Sequence, residues 1–288
     1  MVENIVDVTG GQGGNAFLVL GREKAALVDC GMAYCAATLI DNLRQVLKGR
    51  ALDYLFISHS HYDHIGAIPY LREKWPTVNV LGADYAKKVL LKQTALQTIR
   101  TLSNEAARFY GAPGIDKYDD KLLKVDISIG DGDIVELGGV RIKVLKTTGH
   151  TKCSLSFLVN DKTLFASEST GCMSKSGKIY PAFIINADEA IESITLCQKL
   201  QPAFIISPHY GLVKQADAPP YWENCKSAIK ETQDFITTAA AQGYTEEQIL
   251  VQYESQFRDE QYRMEQPIAA FRLNTQYMIK TVLKESAS

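Results

Sequence analysis

The 288-residue sequence lacks two features that would point to a membrane or to nucleic acid. It has no uninterrupted apolar stretch near the roughly 20 residues that span a bilayer, which argues against a transmembrane helix. It also has no excess of positive charge: the formal net charge is −2, so no basic field is available to attract nucleic acid or an anionic membrane. We therefore expect a small-molecule substrate and no nucleic-acid or membrane partner, while a homodimer stays open.

Secretion signals and paired cysteines are missing as well. The N-terminal residues Met1–Asp7 lack the basic and apolar regions of a signal peptide, from which we expect a cytoplasmic protein. The six cysteines include no CxxC pair and no regular spacing, so we expect reduced, mostly buried thiols rather than a disulfide framework. With 46% hydrophobic and 22% charged residues, the composition is that of an ordinary globular protein with a hydrophobic core.

Apolar runs and helical periods alternate along most of the chain. They predict strands followed by helices, and then strands and helices again, which is typical of a layered α/β architecture with mixed sheets. One long helix is expected from Asp84, as its N-cap, to about Phe109. From about Pro219 onward only helical patterns remain. We therefore predict a core of residues 1–215 and a helical extension of residues 216–288 that packs on the core as a lid.

Histidine is scarce, with five in the chain, and all five follow strand-like apolar runs. Three of them lie in the segment Ser58–His64, directly after the apolar run Leu52–Ile57, and the others are His150 and His209. A metal site is the simplest explanation, since imidazole binds zinc and iron and a rigid sheet edge fixes ligand geometry. One acid, Glu168, follows a further strand-like run.

The spacing of the histidine segment suits two metal ions held by one loop, because neighbouring side chains can diverge. The expected ligands are His59, His61 and His150 for one ion, and Asp63, His64 and His209 for the other. Two ions about 4 Å apart can hold a hydroxide between them and stabilise the oxyanion that forms when it attacks a carbonyl or phosphoryl centre.

These motifs resemble those of the metallo-β-lactamase superfamily over roughly residues 1–215. The matching segments are His59–His64 (H-x-H-x-D-H), Leu27–Gly31 (L-[IV]-D-x-G), Thr148–Thr151 (T-P-G-H-T, with Thr148 in place of proline) and Ser207–Gly211. The resemblance implies an αββα sandwich with the site at one edge of the paired sheets. It also implies that Asp29 holds a ligand loop by hydrogen bonds rather than binding metal directly.

One position departs from the family pattern. The family usually places an aspartate after the strand that follows the third histidine, where it bridges both metals, and here Glu168 is the only nearby acid. Because glutamate is one methylene longer, the bridge is displaced, made by one oxygen, or lost. We expect Glu168 to bind metal directly. The alternatives are a base that does not itself bind the metal and a structural carboxylate, so a site with one metal ion and a site with two both stay open.

The resemblance implies a metal-dependent hydrolase, in which a metal-bound hydroxide attacks an ester, thioester or related acyl carbon. Asp63 and Glu168 are the candidate catalytic residues that orient the hydroxide, and Tyr62, Lys175 and Tyr210 are candidate substrate contacts. Zinc is the favoured metal, with iron or manganese as alternatives. The core with a helical extension is similar to glyoxalase II-like enzymes and to the alkylquinolone-signalling thioesterases.

Two hypotheses from other classes stay open. In one, the site holds a single iron and performs oxygen chemistry, as in the persulfide dioxygenases that resemble glyoxalase II. In the other, the domain is a ligand-sensing module with weak hydrolytic activity. The metal content of the protein and its rate of thioester hydrolysis discriminate between these hypotheses and the hydrolase.

Overall fold

The computed structural model describes residues 2–214 and 217–286. The strands are β1 Ile5–Asp7, β2 Phe17–Leu20, β3 Ala25–Val28, β4 Tyr54–Phe56, β5 Asn79–Gly82, β6 Ile127–Ser128, β7 Ile134–Glu136, β8 Arg141–Lys146, β9 Leu155–Val159, β10 Thr163–Phe165, β11 Cys172–Met173, β12 Ile179–Tyr180, β13 Phe204–Ser207 and β14 Gly211–Leu212. The α-helices are α1 Ala36–Leu47, α2 Tyr62–Ile65, α3 Ile68–Lys74, α4 Asp84–Val89, α5 Gln93–Phe109, α6 Ala187–Lys199, α7 Ala218–Ala241, α8 Glu246–Phe257, α9 Glu260–Glu265 and α10 Ile268–Ser286. Short 3-10 helices are Ala33–Cys35, Asp120–Leu122 and Glu168–Thr170.

The strands form two six-stranded sheets, in the orders β1-β2-β3-β4-β5-β6 and β14-β13-β10-β9-β8-β7, and a two-stranded ribbon of β11 and β12. In the first sheet β1, β2 and β3 run antiparallel, whereas β3 to β6 run parallel. The predicted α/β fold with mixed sheets, and with helices at the C-terminal end of the chain, is confirmed. Among the described residues, no helix is both long and apolar enough to cross a membrane.

By its internal contacts the chain divides into two compact units. The first comprises Met1–Lys146 and Leu155–Leu164, and the second comprises Thr147–Ser154 and Phe165–Ser288. The boundary expected between residues 215 and 216 lies outside the described residues. The division into a core of residues 1–215 and an extension of residues 216–288, and the action of that extension as a lid, stay predictions.

The first unit is built on parallel strands that are buried on both faces. Leu27 of β3 pairs in register with Leu55 of β4, and Leu55 pairs with Val80 of β5. All three side chains are fully buried, which explains why these strands read as continuous apolar runs. The two sheets meet at Phe56 and Phe157, whose rings pack edge to face with centroids 5.4 Å apart.

The parallel arrangement places the ends of β3 and β4 side by side. Beyond the last residue of β3, the backbone N–H of Asp29 donates to the carbonyl oxygen of Phe56 at 2.8 Å. The residues that follow the two strands are therefore neighbours, although 29 positions separate Asp29 from Ser58 in the sequence. This edge of the sheet carries the first part of the candidate metal centre.

The second unit contains the helices that follow β14. Helix α8 begins with a capping box, in which Thr245 accepts from the N–H of Gln248 and the Gln248 side chain accepts from the N–H of Thr245. Its Tyr253 ring stacks on Phe257, with centroids 4.4 Å apart, and lies 6.2 Å from Phe271 of α10. These aromatic residues form the interior of the helical region.

The single long helix expected from Asp84 to Phe109 is wrong. The chain forms α4 and α5, and between them Lys92 adopts an extended backbone with φ −88° and ψ 121°. An unbroken amphipathic helix would bury its apolar residues on one face. Leu91, which lies between the two helices, is instead 78% exposed. The N-cap is Ala83, and Asp84 lies in the first turn, where its carboxylate pairs with Lys88 at 2.6 Å.

Candidate metal centre

The histidine segment is a tight connection between β4 and α2. His59 follows the strand by three residues in an irregular stretch, and His61 is the N-cap residue of α2, with an extended backbone of φ −77° and ψ 150°. His64 lies in the single turn of α2. The imidazole rings gather closely, with the centroid of His59 4.5 Å from that of His61 and 4.2 Å from that of His64.

The carboxylate of Asp29 organises this loop. One of its oxygens accepts from the backbone N–H of Ser58 at 2.7 Å, and the other accepts from the Ser58 hydroxyl at 2.7 Å. The second oxygen also lies 2.8 Å from Nδ1 of His64. Because an ionised carboxylate can only accept, Nδ1 of His64 carries the proton and Nε2 is left with a lone pair.

Ser58 fixes the tautomer of a second histidine, His59, in the same way. Its hydroxyl proton is donated to Asp29, so the oxygen accepts from Nδ1 of His59, which lies 3.0 Å away. His59 therefore also presents Nε2 as a lone-pair donor. A hydrogen bond to Nδ1 that fixes the tautomer and ring orientation is the usual support of a metal-binding histidine.

Backbone hydrogen bonds connect the histidine loop to the segment that follows β3. The N–H of Cys30 donates to the carbonyl oxygen of His64, and the N–H of Gly66 donates to that of Gly31, both at 2.9 Å. Gly14 lies so close that an added Cβ would sit 2.1 Å from the carbonyl oxygen of Asp63. These contacts leave the ligand loop little freedom to shift.

His150 is held by a different part of the chain, at the start of helix α6. Gly149, with φ 126°, packs so tightly on Ala190 that an added Cβ would lie 2.6 Å from its Cα atom. The carbonyl oxygen of Gly149 accepts from the N–H of Ile185 at 3.1 Å. Nδ1 of His150 lies 2.5 Å from the carbonyl oxygen of Ala182. That oxygen can only accept, so His150 too presents Nε2.

Glu168 lies between two imidazoles. One carboxylate oxygen is 2.9 Å from Nε2 of His150, and the other contacts Nε2 of His209. Its neighbour Ser169 fixes the position, because the Ser169 hydroxyl donates to the carbonyl oxygen of Thr147 at 2.6 Å and accepts from the N–H of His150 at 3.0 Å. The acid and the third histidine are thus tied together.

Electrostatics keep Glu168 ionised. Burial by itself raises the pKa of this carboxyl group, but the charges and hydrogen bonds of His150 and His209 outweigh it and hold the pKa well below its usual range. His209 stands at the tip of the β13–β14 hairpin in the left-handed region, with φ 61°. The Tyr210 N–H donates to the carbonyl oxygen of Pro208 at 2.7 Å and closes this turn.

The expected ligands fall into two groups, in each of which one ligand atom per side chain lies within 4.8 Å of the others. The first group is His59, His61, His150 and Glu168, and the second is Asp63, His64, Glu168 and His209. Glu168 belongs to both. Imidazole nitrogens combined with carboxylate oxygens suit zinc, iron and manganese, so the donor set fits a divalent metal. The lone pair of His150 facing the Glu168 carboxylate also calls for a proton or a cation between them.

The three candidate substrate contacts differ in how exposed they are. Tyr62 is buried in α2, and Tyr210 is half-buried in the turn beside His209. Lys175 is exposed, and its backbone N–H donates to Glu265 at 3.0 Å. None of the three belongs to a ligand group, and their contact with substrate stays a prediction.

The family resemblance pointed to Asp29 as a residue that holds the ligand loop, and Asp29 does bond to Ser58 and His64. Sequence reasoning did not identify the other groups that orient the ligands. Ser58 and Ser169 directly precede and follow a predicted ligand, and that adjacency was the one signal available. The carbonyl oxygen of Ala182 carries no signal, since any residue supplies one and its position depends on the chain path between β12 and α6.

Comparison with known proteins identifies the class. The metallo-beta-lactamase superfamily pattern matches residues 9–209, and the chain belongs to this superfamily. The metallo-beta-lactamase fold-containing protein ST1585 of Sulfurisphaera tokodaii is 27% identical over 209 residues, which are 68% of this chain and 72% of that protein. The crystal structure of ST1585 covers 99% of this chain and 100% of its own, with a TM-score of 0.63 at 20% identity.

Two further proteins are similar to this chain in different respects, one in its fold and the other in part of its sequence. The metallo-beta-lactamase family protein TTHA1429 of Thermus thermophilus shares the fold, with a TM-score of 0.68 over 99% of this chain and 95% of that one at 16% identity. A hydroxyacylglutathione hydrolase of Aliivibrio salmonicida is 30% identical over 127 residues, which are 43% of this chain and 36% of the enzyme. The chain spans less than half the length of the hydroxyacylglutathione hydrolases that it matches.

The Asp29 network predicts a specific loss of metal affinity. Asp29→Asn keeps the shape of the side chain and tolerates φ 51°, but it removes the charge that fixes Nδ1–H of His64. We expect metal affinity to fall roughly 10- to 100-fold, measured by competition with a chromophoric chelator. The matched control is Asp53→Asn, since Asp53 also accepts a backbone N–H, from Ala25 at 2.8 Å, but at the other end of the strands. Equal affinity losses in both variants would contradict the assignment.

The packing of Gly149 predicts a loss of stability. In Gly149→Ala the new methyl group overlaps Ala190, and φ 126° is strained for any L-residue. We expect the free energy of unfolding to fall by about 2 to 4 kcal/mol, the combined scale of strain and overpacking. The control Gly130→Ala meets no atom within 4 Å and should stay within about 0.5 kcal/mol of the parent. Urea denaturation of both variants measures this, and equal stability would refute it.

Proposed function

We propose that the chain is a metal-dependent hydrolase that cleaves an ester, thioester or related acyl bond of a small molecule. The observation that carries the proposal is the donor set: five histidines and two carboxylates in two groups that share Glu168. A structural metal site is normally closed by four ligands, whereas a catalytic site keeps positions for water and substrate. Two adjacent groups with a common carboxylate are the arrangement expected for hydrolysis.

The candidate ligands form two sets, one for each ion. His59, His61 and His150 would hold one ion, and Asp63, His64 and His209 the other, with Glu168 reaching both. When bound, a divalent metal lowers the pKa of water and polarises an acyl oxygen as a Lewis acid. Zinc is the favoured ion, and iron or manganese suit the same donors.

The protein's own contribution is orientation and charge. Asp29, Ser58 and the carbonyl oxygen of Ala182 keep three imidazoles turned with Nε2 toward the ligand groups. Each carboxylate oxygen carries more than one lone pair, so Asp63 and Glu168 could help to hold the ions and also accept a hydrogen bond from the attacking water. The water is thereby oriented before the substrate binds, so less reorganisation of the site is needed during the reaction.

The choice of an acyl substrate rests on the relatives. Hydroxyacylglutathione hydrolases match over part of the chain, and their name describes hydrolysis of an acyl thiol compound. Nothing in the charge of this chain favours a polyanionic substrate, because the formal net charge is −2. A small acyl thioester is therefore the first substrate class to test, with no nucleic acid or membrane as a partner.

Loss of a ligand should remove metal and activity together. His61→Ala takes one imidazole from the first group, so the variant should bind less metal and lose about 100-fold or more in thioester hydrolysis. Metal content is measured by mass spectrometry, and hydrolysis is followed by the free thiol released from a panel of acyl thioesters. Wild-type protein stripped by a chelator should lose the same activity and regain it when zinc is added. Activity retained in His61→Ala would refute the assignment.

The same preparations separate the hydrolase from the alternatives. Protein purified without added metal that contains iron and consumes oxygen with a persulfide substrate would support the iron oxygenase instead. Metal-replete protein that hydrolyses every thioester at the background rate would support the ligand-sensing module. Zinc content with thioester hydrolysis and no oxygen uptake is the result that we expect.

Glu168 can be tested through its charge and length separately. Glu168→Gln keeps the length but removes the anionic donor common to both groups, so it should bind fewer metal equivalents than the parent. Glu168→Asp keeps the charge and should retain the parent stoichiometry. The control is Glu192→Gln, an exposed residue of α6. Equal metal stoichiometry in Glu168→Gln and the control would show that Glu168 is not a ligand.

A further inference from the structure

The segment after Glu168 forms a small β-ribbon. The 3-10 helix Glu168–Thr170 ends at Gly171, whose φ of 89° turns the chain directly into β11. Cys172 of β11 pairs with Tyr180 of β12, and the N–H of Ser174 donates to the carbonyl oxygen of Lys178 at 2.9 Å. Cys172 follows Glu168 by four positions, so the ribbon begins within about 14 Å of the candidate ligand even for a fully extended chain.

Helix α9 is fastened to this ribbon at both of its ends. The carboxylate of Asp259 accepts from the Tyr180 hydroxyl at 2.8 and 2.9 Å, from Lys178 at 3.0 Å, and from the N–H of Tyr262 at 2.9 Å. At the other end, Glu265 accepts from the N–H of Lys175 at 3.0 Å. Several charge-assisted bonds to one carboxylate fix a short helix that would not be stable alone.

Between these attachments, the ring of Tyr262 is packed on two others. It stacks on Tyr180 with centroids 3.6 Å apart and planes inclined by 15°. It also meets Phe271 of α10 edge to face, with centroids 5.4 Å apart. Rings held on a face and an edge cannot rotate freely, so the direction of the Tyr262 hydroxyl is fixed.

The Tyr262 hydroxyl differs from three buried phenol groups of the same unit. Tyr180 donates to Asp259, the Tyr221 hydroxyl donates to Ser207 at 3.0 Å, and the hydroxyls of Tyr253 and Thr232 lie 3.0 Å apart. Within residues 2–214 and 217–286 the Tyr262 hydroxyl makes no such bond. It is not a buried polar atom left without a partner, so it stays accessible to water or to a bound ligand, either of which can accept its hydrogen bond.

The surroundings of this hydroxyl keep it protonated and connect it to the candidate centre. Although the residue as a whole is half-buried, burial of the phenol group raises the pKa of Tyr262, and the nearby Cys172, Tyr253, Tyr180 and Glu168 raise it further. A neutral phenol donates one hydrogen bond and does not serve as a base near neutral pH. Glu168 is thus one of the groups whose charge raises the pKa of this hydroxyl.

We propose that the Tyr262 hydroxyl donates a hydrogen bond to an oxygen atom of the ligand that binds beside Glu168. This inference rests on the proposed function, in which that atom is the acyl oxygen that becomes negative when water adds to the carbonyl carbon. The hydroxyl keeps its proton throughout, and the C–S or C–O bond breaks with the leaving group taking a proton from the attacking water. Tyr262 thus supplies a fixed donor for the developing charge.

The first test is kinetic and uses full-length, zinc-loaded protein. Tyr262→Phe removes only the hydroxyl and keeps both ring contacts, so its melting temperature should match that of the parent. We expect kcat/KM for S-hexanoyl-N-acetylcysteamine to fall about 100-fold or more, mainly through kcat, as for loss of one oxyanion donor. The matched control is Tyr277→Phe, because Tyr277 is 49% exposed on α10. It should stay within about twofold of the parent.

The second test measures binding without turnover. Calorimetry compares hexylphosphonate, which imitates the tetrahedral oxyanion, with hexanoate, the planar product. Tyr262→Phe should weaken phosphonate binding about tenfold and hexanoate binding less, because the donor is directed at the oxyanion. Equal phosphonate affinity in the parent and Tyr262→Phe overturns the inference, as does a parent that does not bind phosphonate. Failure of the parent to hydrolyse any thioester overturns the proposed function instead, and the phosphonate comparison still decides the role of Tyr262.

Discussion

The hydrogen bonds of the Asp29 carboxylate determine how the histidine loop can present its ligands. Three of them converge on one side chain, from the backbone and hydroxyl of Ser58 and from Nδ1 of His64. A carboxylate removed from water is unfavourable unless its lone pairs are used, and here they are. Replacing the carboxylate would leave donors of the loop unsatisfied, so geometry at the ligand atoms follows from a residue that belongs to neither ligand group.

The Glu168 carboxylate imposes a second constraint. A buried anion between two imidazoles is stable only if positive charge is shared among the three groups, and the depressed pKa of Glu168 expresses this requirement. Divalent metal ions would supply such charge when they bind. Because an imidazole must be unprotonated at the nitrogen that binds a metal, the affinity of the centre should depend on pH.

Much of the candidate centre could be predicted from the sequence, because its ligands are local patterns at the ends of apolar runs. The segment His59–His64 and the isolated His150 and His209 are visible without knowledge of the fold. Asp29 was expected as a supporting residue from the family resemblance. The carbonyl oxygen of Ala182 and the proposed donor Tyr262 were not predictable, since their positions depend on the path of the chain.

The fold, too, was predictable in some parts and not in others. Runs of buried residues revealed the strands, and the capped and periodic segments revealed the C-terminal helices. The break between α4 and α5 escaped prediction because every residue around Leu91 is compatible with a helix, and the packing of the two helices decides where the chain turns. Local propensity is informative where one face is buried, and it fails where tertiary contacts choose between two allowed backbones.

The backbone of His209 has a consequence for how this centre can change over generations. A left-handed residue other than glycine is tolerated best when it is histidine, asparagine or aspartate, and the codons of both alternatives differ from a histidine codon by a single base. Aspartate is itself a metal ligand. A nitrogen donor at this hairpin tip can therefore be exchanged for an oxygen donor in one mutational step without new backbone strain, and such a step would shift the preference of the centre toward harder metal ions.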